Sequence, residues 1–215
     1  MTFLGTITSP DNAHVRHVRS LHNKRARYRD KRYLLEGLRL VAHALEVGYR
    51  PALAFTTEEF ASGQGEALVR ALDEADTPAW ITTPAVMARL ADTVTPQGIV
   101  AVLPMPDPPP LRPDASLLLV LDEIRDPGNL GTILRTALAT GVDAVLLTPG
   151  CADPYAPKVV RAGMGAHLSL ALHPDTPWET LLRLTSGTRR ILADAAAPLS
   201  LWQWNWTEPT TLIVG

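Results

Sequence analysis

Two kinds of hydrophobic pattern alternate along this chain. Short continuous runs of apolar residues are typical of buried strands, whereas apolar residues that recur every three or four positions are typical of helices with one buried face. In the first half, strands are predicted at 33–35, 52–56, 79–82 and 98–103, and helices at 37–47, 66–73 and 85–90. An earlier helix is predicted to begin with Ser9 as its N-cap and Pro10 in its first turn, and a loop is predicted to follow it.

The second half repeats this alternation with more apolar strands. Its pattern predicts strands at 117–121, 144–147, 167–172, 190–193 and 211–214, with helices at 130–140, 158–162 and 178–184. The run at 117–121 is apolar throughout, as expected for a parallel strand that is covered on both faces. Because strand–helix units repeat, we predict an α/β fold with a parallel sheet.

A proline-rich segment separates the two halves. Six of the ten residues from Pro104 to Pro113 are proline, and such a segment cannot lie inside a helix or a central strand. We therefore predict a small N-terminal α/β domain at 1–103, an extended, semi-rigid spacer at 104–113 and a second α/β domain at 114–215.

Composition narrows the class of protein. The chain has 215 residues, of which 46% are hydrophobic and 20% are charged, and its formal net charge is −2. This composition is typical of globular proteins, and no apolar run approaches the roughly 20 residues that a transmembrane helix needs. The single cysteine, Cys151, excludes an intramolecular disulfide, and the histidines lack metal-ligand spacing. We therefore expect a cytoplasmic protein that binds neither a membrane nor a metal ion.

Positive charge is concentrated near the N-terminus. Residues 12–32, which we call the basic block, carry eight lysines and arginines but a single acid, Asp30. The block has a formal charge of +7, while the rest of the chain has −9. Such a block either forms a solvated surface or contacts a polyanion. Its cations are Arg16, Arg19, Lys24, Arg25, Arg27, Arg29, Lys31 and Arg32.

The segment at 121–137 combines the end of a strand, a tight turn and a helix. It contains neither of the glycine-rich motifs that bind nucleotide phosphates. Asn129 is predicted to cap the helix, whose apolar residues form one buried stripe. On the opposite side of the helix, Gly128 and Gly131 lie beside Arg135. These glycines either permit another backbone to pack closely or leave room for a ligand next to the arginine cation.

Two further clusters allow more than one interpretation. Lys158 and Arg161 are neighbours on one helix face, where they either interact with the negative end of the helix dipole or contact phosphate. Near the C-terminus, Trp202, Trp204 and Trp206 alternate as side chains on one face of a strand do. Core packing, base stacking and a dimer surface are the three interpretations of this aromatic face.

These motifs together resemble the SpoU/TrmH branch of the SPOUT methyltransferases, a family that methylates the ribose 2′-hydroxyl of RNA with S-adenosylmethionine. The segment DPGNLGTILR at 126–135 is similar to the first motif of the family, KVVRAGMGA at 158–166 to its second, and TLIVG at 211–215 to the opening of its third. Three segments of the N-terminal half resemble the substrate-binding domain of many members: ITSPDN at 7–12, LEGLR at 35–39 and TPQG at 95–98.

The resemblance implies an RNA 2′-O-methyltransferase that consists of an N-terminal RNA-binding domain and a C-terminal SPOUT domain. Arg135 aligns with the catalytic arginine of the family, and Asn129 aligns with its helix-capping asparagine. The expected contacts of S-adenosylmethionine are Ala193, Asp194, Val214 and Gly215. The basic block is then expected to bind RNA, ribosomal rather than transfer RNA, together with Glu36, Arg39, Lys158 and Arg161.

The resemblance also implies a homodimer, since family pockets draw on both subunits. The sequence stops at Gly215, directly after an apolar strand, and the rest of the third motif and its knotted segment do not follow. We therefore expect a C-terminally shortened form that binds the cofactor poorly. Two alternatives are a non-catalytic RNA-binding protein of the same architecture and another α/β enzyme that handles nucleotides. Binding of S-adenosylmethionine by the full-length protein would separate them.

Overall fold

Each half of the chain forms a five-stranded sheet. The computed structural model describes residues 3–215, so the first two residues of the predicted N-terminal domain lie outside the described part. Along the chain, the first sheet ends at residue 104 and the second begins at residue 117, and the proline-rich segment lies between them. Within residues 3–215, no helix combines the length and the apolar character that crossing a lipid bilayer requires.

The N-terminal sheet is mixed. Its strands are β1 (Thr6–Ile7), β2 (Arg32–Glu36), β3 (Leu53–Thr57), β4 (Ala79–Thr82) and β5 (Ile99–Pro104), in the spatial order β1-β4-β3-β5-β2. Strand β5 runs antiparallel to both β3 and β2, and the remaining pairs are parallel. The accompanying helices are α1 (Ala13–Ser20), α2 (Lys24–Asp30), α3 (Leu38–Glu46), α4 (Glu58–Ser62), α5 (Glu66–Glu74) and α6 (Pro84–Leu90).

The C-terminal sheet is wholly parallel, which confirms the prediction from its repeated strand–helix units. Its strands are β6 (Leu117–Leu121), β7 (Ala144–Leu147), β8 (Ala171–His173), β9 (Arg189–Leu192) and β10 (Thr210–Val214), in the order β8-β7-β6-β10-β9. The helices are α7 (Pro127–Ala139), α8 (Pro157–Ala162) and α9 (Trp178–Leu184). Parallel strands place their carboxyl ends at one edge, where ligands bind in open α/β sheets.

Two predictions for the segment at 9–32 are wrong. Helix α1 begins at Ala13, because Asn12 is its N-cap and accepts a hydrogen bond from the backbone N–H of His14 at 2.8 Å. Ser9 and the proline after it lie before the helix. The predicted basic loop is helix α2, which Asn23 caps through its side-chain oxygen. Cap side chains therefore decide both helix starts.

In the second half, the strand predicted at 167–172 forms only at its end, and the strand-like alternation of the tryptophans does not place them on one face. In the segment at 167–172, a 3₁₀ turn at Ala166–Leu168 precedes the short strand β8, because Gly165 adopts a φ of +91°. The tryptophans do not share a strand face, since Trp202 lies in a 3₁₀ turn and is 90% exposed. Trp204 instead lies beneath the Arg189 guanidinium, 4.2 Å from the ring centroid.

The proline-rich segment has no helix or strand after Pro104 and is anchored at both ends. Pro104 belongs to β5, and the next residue, Met105, is buried and donates its backbone N–H to the carbonyl of Lys31 at 2.8 Å. Leu111 packs against apolar side chains of the C-terminal sheet. Each end of the segment is therefore attached to the half of the chain next to it.

One hydrophobic core continues from the first half into the second. The rings of Tyr33 in β2 and Tyr155, which precedes α8, are buried with their centroids 5.1 Å apart. The ring of His167 lies 6.1 Å from that of Tyr155. Burial lowers the pKa of His167 to about 4, so its imidazole is neutral at pH 7. The two sheets are thus packed into one unit, and the candidate site lies near their junction.

Candidate active site

The turn between β6 and α7 presents the first motif. Asp126 is the N-cap of α7, and its Oδ1 accepts a hydrogen bond from the backbone N–H of Asn129 at 2.7 Å. Pro127 occupies the first helical position, where its missing N–H costs nothing. Asn129 therefore lies inside the first turn and is not the cap. Its side chain is exposed and makes no hydrogen bond to another described residue.

Arg135 lies two turns further along α7, on an exposed face. Its Nη1 is 3.2 Å from the Sδ of Met164, which follows α8 and is itself 57% exposed. Among the described residues, no carboxylate pairs with this guanidinium, so its full charge is available to an anion. Met164 has a φ of +47°, an uncommon conformation for a non-glycine residue. The backbone at this position therefore follows a constrained path beside Arg135.

Gly131 permits close packing of α7 on α8. A Cβ atom at this buried position would lie 2.4 Å from the Cβ of Ala162 and 2.8 Å from the carbonyl oxygen of Val159. The space beside Gly131 is therefore filled by a neighbouring backbone, and no ligand can approach it. Of the two interpretations of Gly131, the structure therefore supports close packing of another backbone, here that of helix α8. Close packing brings the end of α8 next to Arg135.

Replacing Gly131 with alanine is expected to destabilise the protein by about 1–3 kcal/mol, the usual cost of overpacking. The gain in helix propensity, about 1 kcal/mol, is too small to offset a clash with backbone atoms. Urea unfolding measures the difference. Gly187→Ala is the matched control, because nothing lies within 4 Å of the added methyl group. Equal stability of the two variants would show that α8 does not pack as closely as described.

Arg161 on α8 connects the second motif with the N-terminal half. Its Nη1 lies 2.5 Å from the Oδ2 of Asp92 and 3.9 Å from the Oε2 of Glu36. Glu36 also accepts hydrogen bonds from the backbone N–H of Asp92, at 2.8 Å, and from the Thr93 hydroxyl. The structure thus gives both Arg161 and Glu36 a role in holding the 92–98 loop, besides their predicted RNA contacts.

Arg27 is the clearest correction to the predicted RNA contacts. Its side chain is 3% exposed and forms a buried ion pair with the carboxylate of Asp153, with Nε and Oδ2 3.0 Å apart. Its Nη1 donates to the carbonyl of Leu21 at 2.7 Å. Because these groups use its donors inside the protein, Arg27 cannot contact RNA in this structure. The ion pair instead joins α2 to the loop before α8.

Tyr28 completes the environment of the buried carboxylate. Its hydroxyl donates to the Oδ1 of Asp153 at 3.1 Å, and the backbone N–H of Tyr155 donates to the same oxygen at 3.0 Å. Burial, followed by the Asp153 charge, raises the pKa of Tyr28, so its hydroxyl keeps its proton. Both oxygens of Asp153 are therefore satisfied by donors.

The other predicted RNA contacts divide into free cations and cations that already have a partner. Lys24 pairs with Asp175 at 2.9 Å, Arg29 with Asp30 at 2.6 Å and Lys31 with Asp107 at 3.2 Å, all on the surface. Arg16 donates to a backbone carbonyl. The side chains without a hydrogen-bond or ion-pair partner among the described residues are Arg19, Arg25, Arg32, Arg39 and Lys158.

The predicted cofactor residues lie near the carboxyl ends of β9 and β10. Ala193 and Asp194 follow β9 and line a cavity of about 500 Å³ with mainly apolar walls, which include Leu192, Leu212 and Trp204. Val214 and Gly215 lie outside this cavity. They lie beside the end of β6, where the backbone N–H of Asp122 donates to the Val214 carbonyl at 2.8 Å.

The sequence alone does not predict a role for several residues of this region. No role is predicted for Asp92, Asp153 or Met164, although Met164 lies within the second motif and Asp153 lies five residues before it. An acid beside a basic motif is a weak signal, because its partner is distant in the chain. In the described part of the chain, no group of three or more His, Cys, Asp or Glu side chains is arranged to hold a metal ion.

Comparison with known proteins identifies the family. A model described as the SpoU rRNA Methylase family matches residues 116–215, and one described as an MRM3-like substrate binding domain matches residues 12–101. The "uncharacterized tRNA/rRNA methyltransferase slr1673" of Synechocystis is 37% identical over 221 residues, which cover 99% of this chain and 78% of that protein. The chain belongs to the SpoU methylase family.

Other SpoU-type relatives are longer than this chain. Mitochondrial rRNA methyltransferase 3 of Mus musculus is 40% identical over 184 residues, which cover 78% of this chain but 41% of the mouse protein. The 23S rRNA (guanosine(2553)-2′-O)-methyltransferase RlmP of Bacillus subtilis is 33% identical, and the match covers 76% of this chain and 62% of that relative. The chain therefore spans less than half of the mouse protein.

Solved structures of SpoU-type enzymes share the fold of both halves. The AdoMet-bound rRNA methyltransferase from Sinorhizobium meliloti has a TM-score of 0.84 at 26% identity, covering 97% of this chain and 79% of that one. AviRb from Streptomyces viridochromogenes, in complex with the cofactor AdoMet, has a TM-score of 0.81 at 25% identity, covering 94% of this chain and 80% of that one. These matches confirm the SpoU/TrmH resemblance and the α/β fold.

Proposed function

We propose that this SpoU-family chain transfers a methyl group from S-adenosylmethionine to the 2′-hydroxyl of a ribose in ribosomal RNA. The observation that carries the proposal is the position of Arg135, exposed beside Met164 and without an acidic partner among the described residues. The names of the mouse and Bacillus relatives support ribosomal RNA, and the latter supports the 2′-hydroxyl. Neighbours solved with AdoMet support the methyl donor.

Arg135 is proposed to act as a hydrogen-bond donor and not as a base. A ribose hydroxyl is a weak nucleophile, so it must lose its proton or have its developing charge stabilised. A guanidinium stays protonated in proteins, which excludes proton removal by Arg135. Its forked donors instead suit the phosphate next to the target ribose and the forming alkoxide.

The cavity beside β9 is the candidate site for part of the proposed cofactor, because two of the four predicted contacts line it. When bound, S-adenosylmethionine supplies the methyl group. A cavity of about 500 Å³ with apolar walls is large enough for a nucleoside-sized ligand, and Ala193 and Asp194 would hold it there. The Asp194 carboxylate accepts the backbone N–H of Ala196 at 2.7 Å, which fixes its orientation at the cavity.

A direct test measures where the label from S-adenosylmethionine is incorporated in RNA. The full-length protein is incubated with unmodified rRNA transcripts and methyl-labelled S-adenosylmethionine, and the RNA is then hydrolysed with alkali. Because a 2′-O-methyl group blocks cleavage of the adjacent linkage, the label is expected in alkali-resistant dinucleotides. Label in mononucleotides would indicate base methylation and refute the assignment. RNA binding without transfer would favour a non-catalytic RNA-binding protein.

Reversing the charge of Arg19 and Arg25 together to glutamate is expected to weaken RNA binding about tenfold or more at low salt. Each lost phosphate contact should also make the negative slope of log affinity against log salt shallower by about 0.7. Fluorescence anisotropy across a KCl series measures both quantities. The control reverses Arg89 and Arg183, two exposed arginines on other helices. Equal losses in both double variants would contradict a localised RNA contact.

We also propose that the protein is a homodimer and acts in the cytoplasm. The dimer is proposed because the SpoU/TrmH resemblance implies pockets built from two subunits. A single, half-buried free cysteine, Cys151, fits a reducing compartment. Light scattering during size-exclusion chromatography of the full-length protein tests the dimer, and a monomer at micromolar concentration would refute it.

A further inference from the structure

A pocket of about 290 Å³ lies where the two halves of the chain meet, and we call it the junction pocket. Its walls include Arg39, Thr95 and Gln97 from the N-terminal half, and Arg161 and Met164 from the C-terminal half. Met164 is also the side chain against which Arg135 lies, at 3.2 Å. The proposed catalytic cation is therefore one side chain away from a pocket built by both domains.

Gln97 has a fixed orientation in this pocket. Its Oε1 accepts a hydrogen bond from the backbone N–H of Leu38, at the start of α3, at 3.0 Å. Gly37 makes this approach possible, because a Cβ atom there would lie 2.7 Å from that oxygen. A backbone N–H can only donate, so the amide oxygen must face it, and the amide nitrogen keeps two free donors.

Some of the remaining polar side chains of the junction pocket have a hydrogen-bond or ion-pair partner, and others have none. Arg161 is held by Asp92 at 2.5 Å, and the Thr93 hydroxyl donates to Glu36. Arg39 and Thr95 are exposed and have no partner among the described residues. The pocket thus includes in its wall an amide whose oxygen is held, an unpaired hydroxyl and an unpaired cation. Its size is near the lower end of ligand pockets, which suits one nucleobase.

We propose that the junction pocket holds the base of the methylated nucleotide and selects a base with a keto group, guanine or uracil, through the amide nitrogen of Gln97. This inference rests on the proposed function, because it assumes that Arg135 lies at the target ribose. Guanine O6 and uracil O4 accept a hydrogen bond, whereas adenine and cytosine present amino donors at these positions. An amino group opposite the Gln97 amide would leave two donors facing each other.

The test uses rRNA transcripts that carry each of the four bases at the mapped methylation site. Wild-type full-length protein is expected to prefer guanine and uracil over adenine and cytosine by about tenfold in kcat/KM, the value of one hydrogen bond. In Gln97→Glu, one carboxylate oxygen still accepts the Leu38 N–H while the other replaces the donor with an acceptor. This variant is expected to lose or invert the preference without a change in thermal stability.

Gln64→Glu is the matched control, because this substitution adds the same charge to the same domain. Gln64 is exposed and does not line the junction pocket. It should keep the wild-type preference. Equal rates of the wild type on all four transcripts, or an unchanged preference in Gln97→Glu, would overturn the inference.

Binding affinities for short single-stranded oligonucleotides of each of the four bases provide a readout that depends neither on transfer nor on a mapped site. If the wild type methylates no transcript, the proposed function fails. A keto-base preference in binding that Gln97→Glu abolishes would still support the pocket, and the absence of any preference in binding would refute it.

Discussion

Replacing Arg135 with lysine is expected to lower kcat/KM for RNA methylation by about 100-fold to 1000-fold, the usual cost of losing one preorganised transition-state donor. Lysine keeps the positive charge but lacks the planar fork that holds a phosphate and a second oxygen together. Single-turnover assays with the full-length protein measure the rate of transfer. Because Arg135 is exposed and has no ion pair among the described residues, the free energy of unfolding should hardly change.

A matched control separates this effect from a general effect of replacing arginine. Arg183→Lys makes the same change at an exposed position in the last turn of α9, away from both motifs. Its transfer rate and RNA affinity should equal those of the wild type. A transfer rate in Arg135→Lys within a few-fold of this control would remove Arg135 from the mechanism.

The strands of the C-terminal sheet could be predicted because their signal is local. The apolar runs at 117–121 and 144–147 coincide with β6 and β7, since a parallel strand covered on both faces shows its burial directly in its sequence. The order of these strands in the sheet is not local. Strand β10 lies between β6 and β9, and no pattern within its five residues indicates that position.

The helix caps show that local capping rules predict only some of the helix starts. Both Ser9-Pro10 and Asp126-Pro127 place a proline directly after a capping residue, yet only Asp126 begins a helix. Asn129 is the predicted cap of α7, but it occupies the third helical position, where its own backbone N–H donates to the side chain of the actual cap, Asp126. Such alternatives are nearly equal in local energy, and packing of the rest of the chain decides between them.

Arg27 shows why the candidate site could be predicted only in part. Within the basic block its sequence context matches that of Arg25, but Arg25 is exposed while Arg27 is buried against Asp153, 126 residues further along the chain. Charge patterns therefore locate the basic surface but cannot identify which cation is used inside the fold. The sequence around Arg135 is more informative, because strand, turn and helix are contiguous there.

Replacing Arg27 with methionine is expected to destabilise the protein by about 3–5 kcal/mol, because it leaves the buried carboxylate of Asp153 without its counter-ion. The two side chains are only 3% and 6% exposed, so water cannot compensate for the loss. Urea unfolding of the full-length protein measures the change. The exposed neighbour provides the control, and Arg25→Met should change stability by less than about 0.5 kcal/mol.

A double variant tests whether the ion pair itself is responsible. Adding Asp153→Asn to Arg27→Met removes the uncompensated charge, while the amide oxygen can still accept from Tyr28 and from the Tyr155 backbone. The double variant should therefore recover about 1 kcal/mol or more relative to the sum of the single effects. Strict additivity would mean that Arg27 and Asp153 are not coupled. Recovery of stability would instead establish that this pair fixes the basic helix α2 against the domain that carries Arg135.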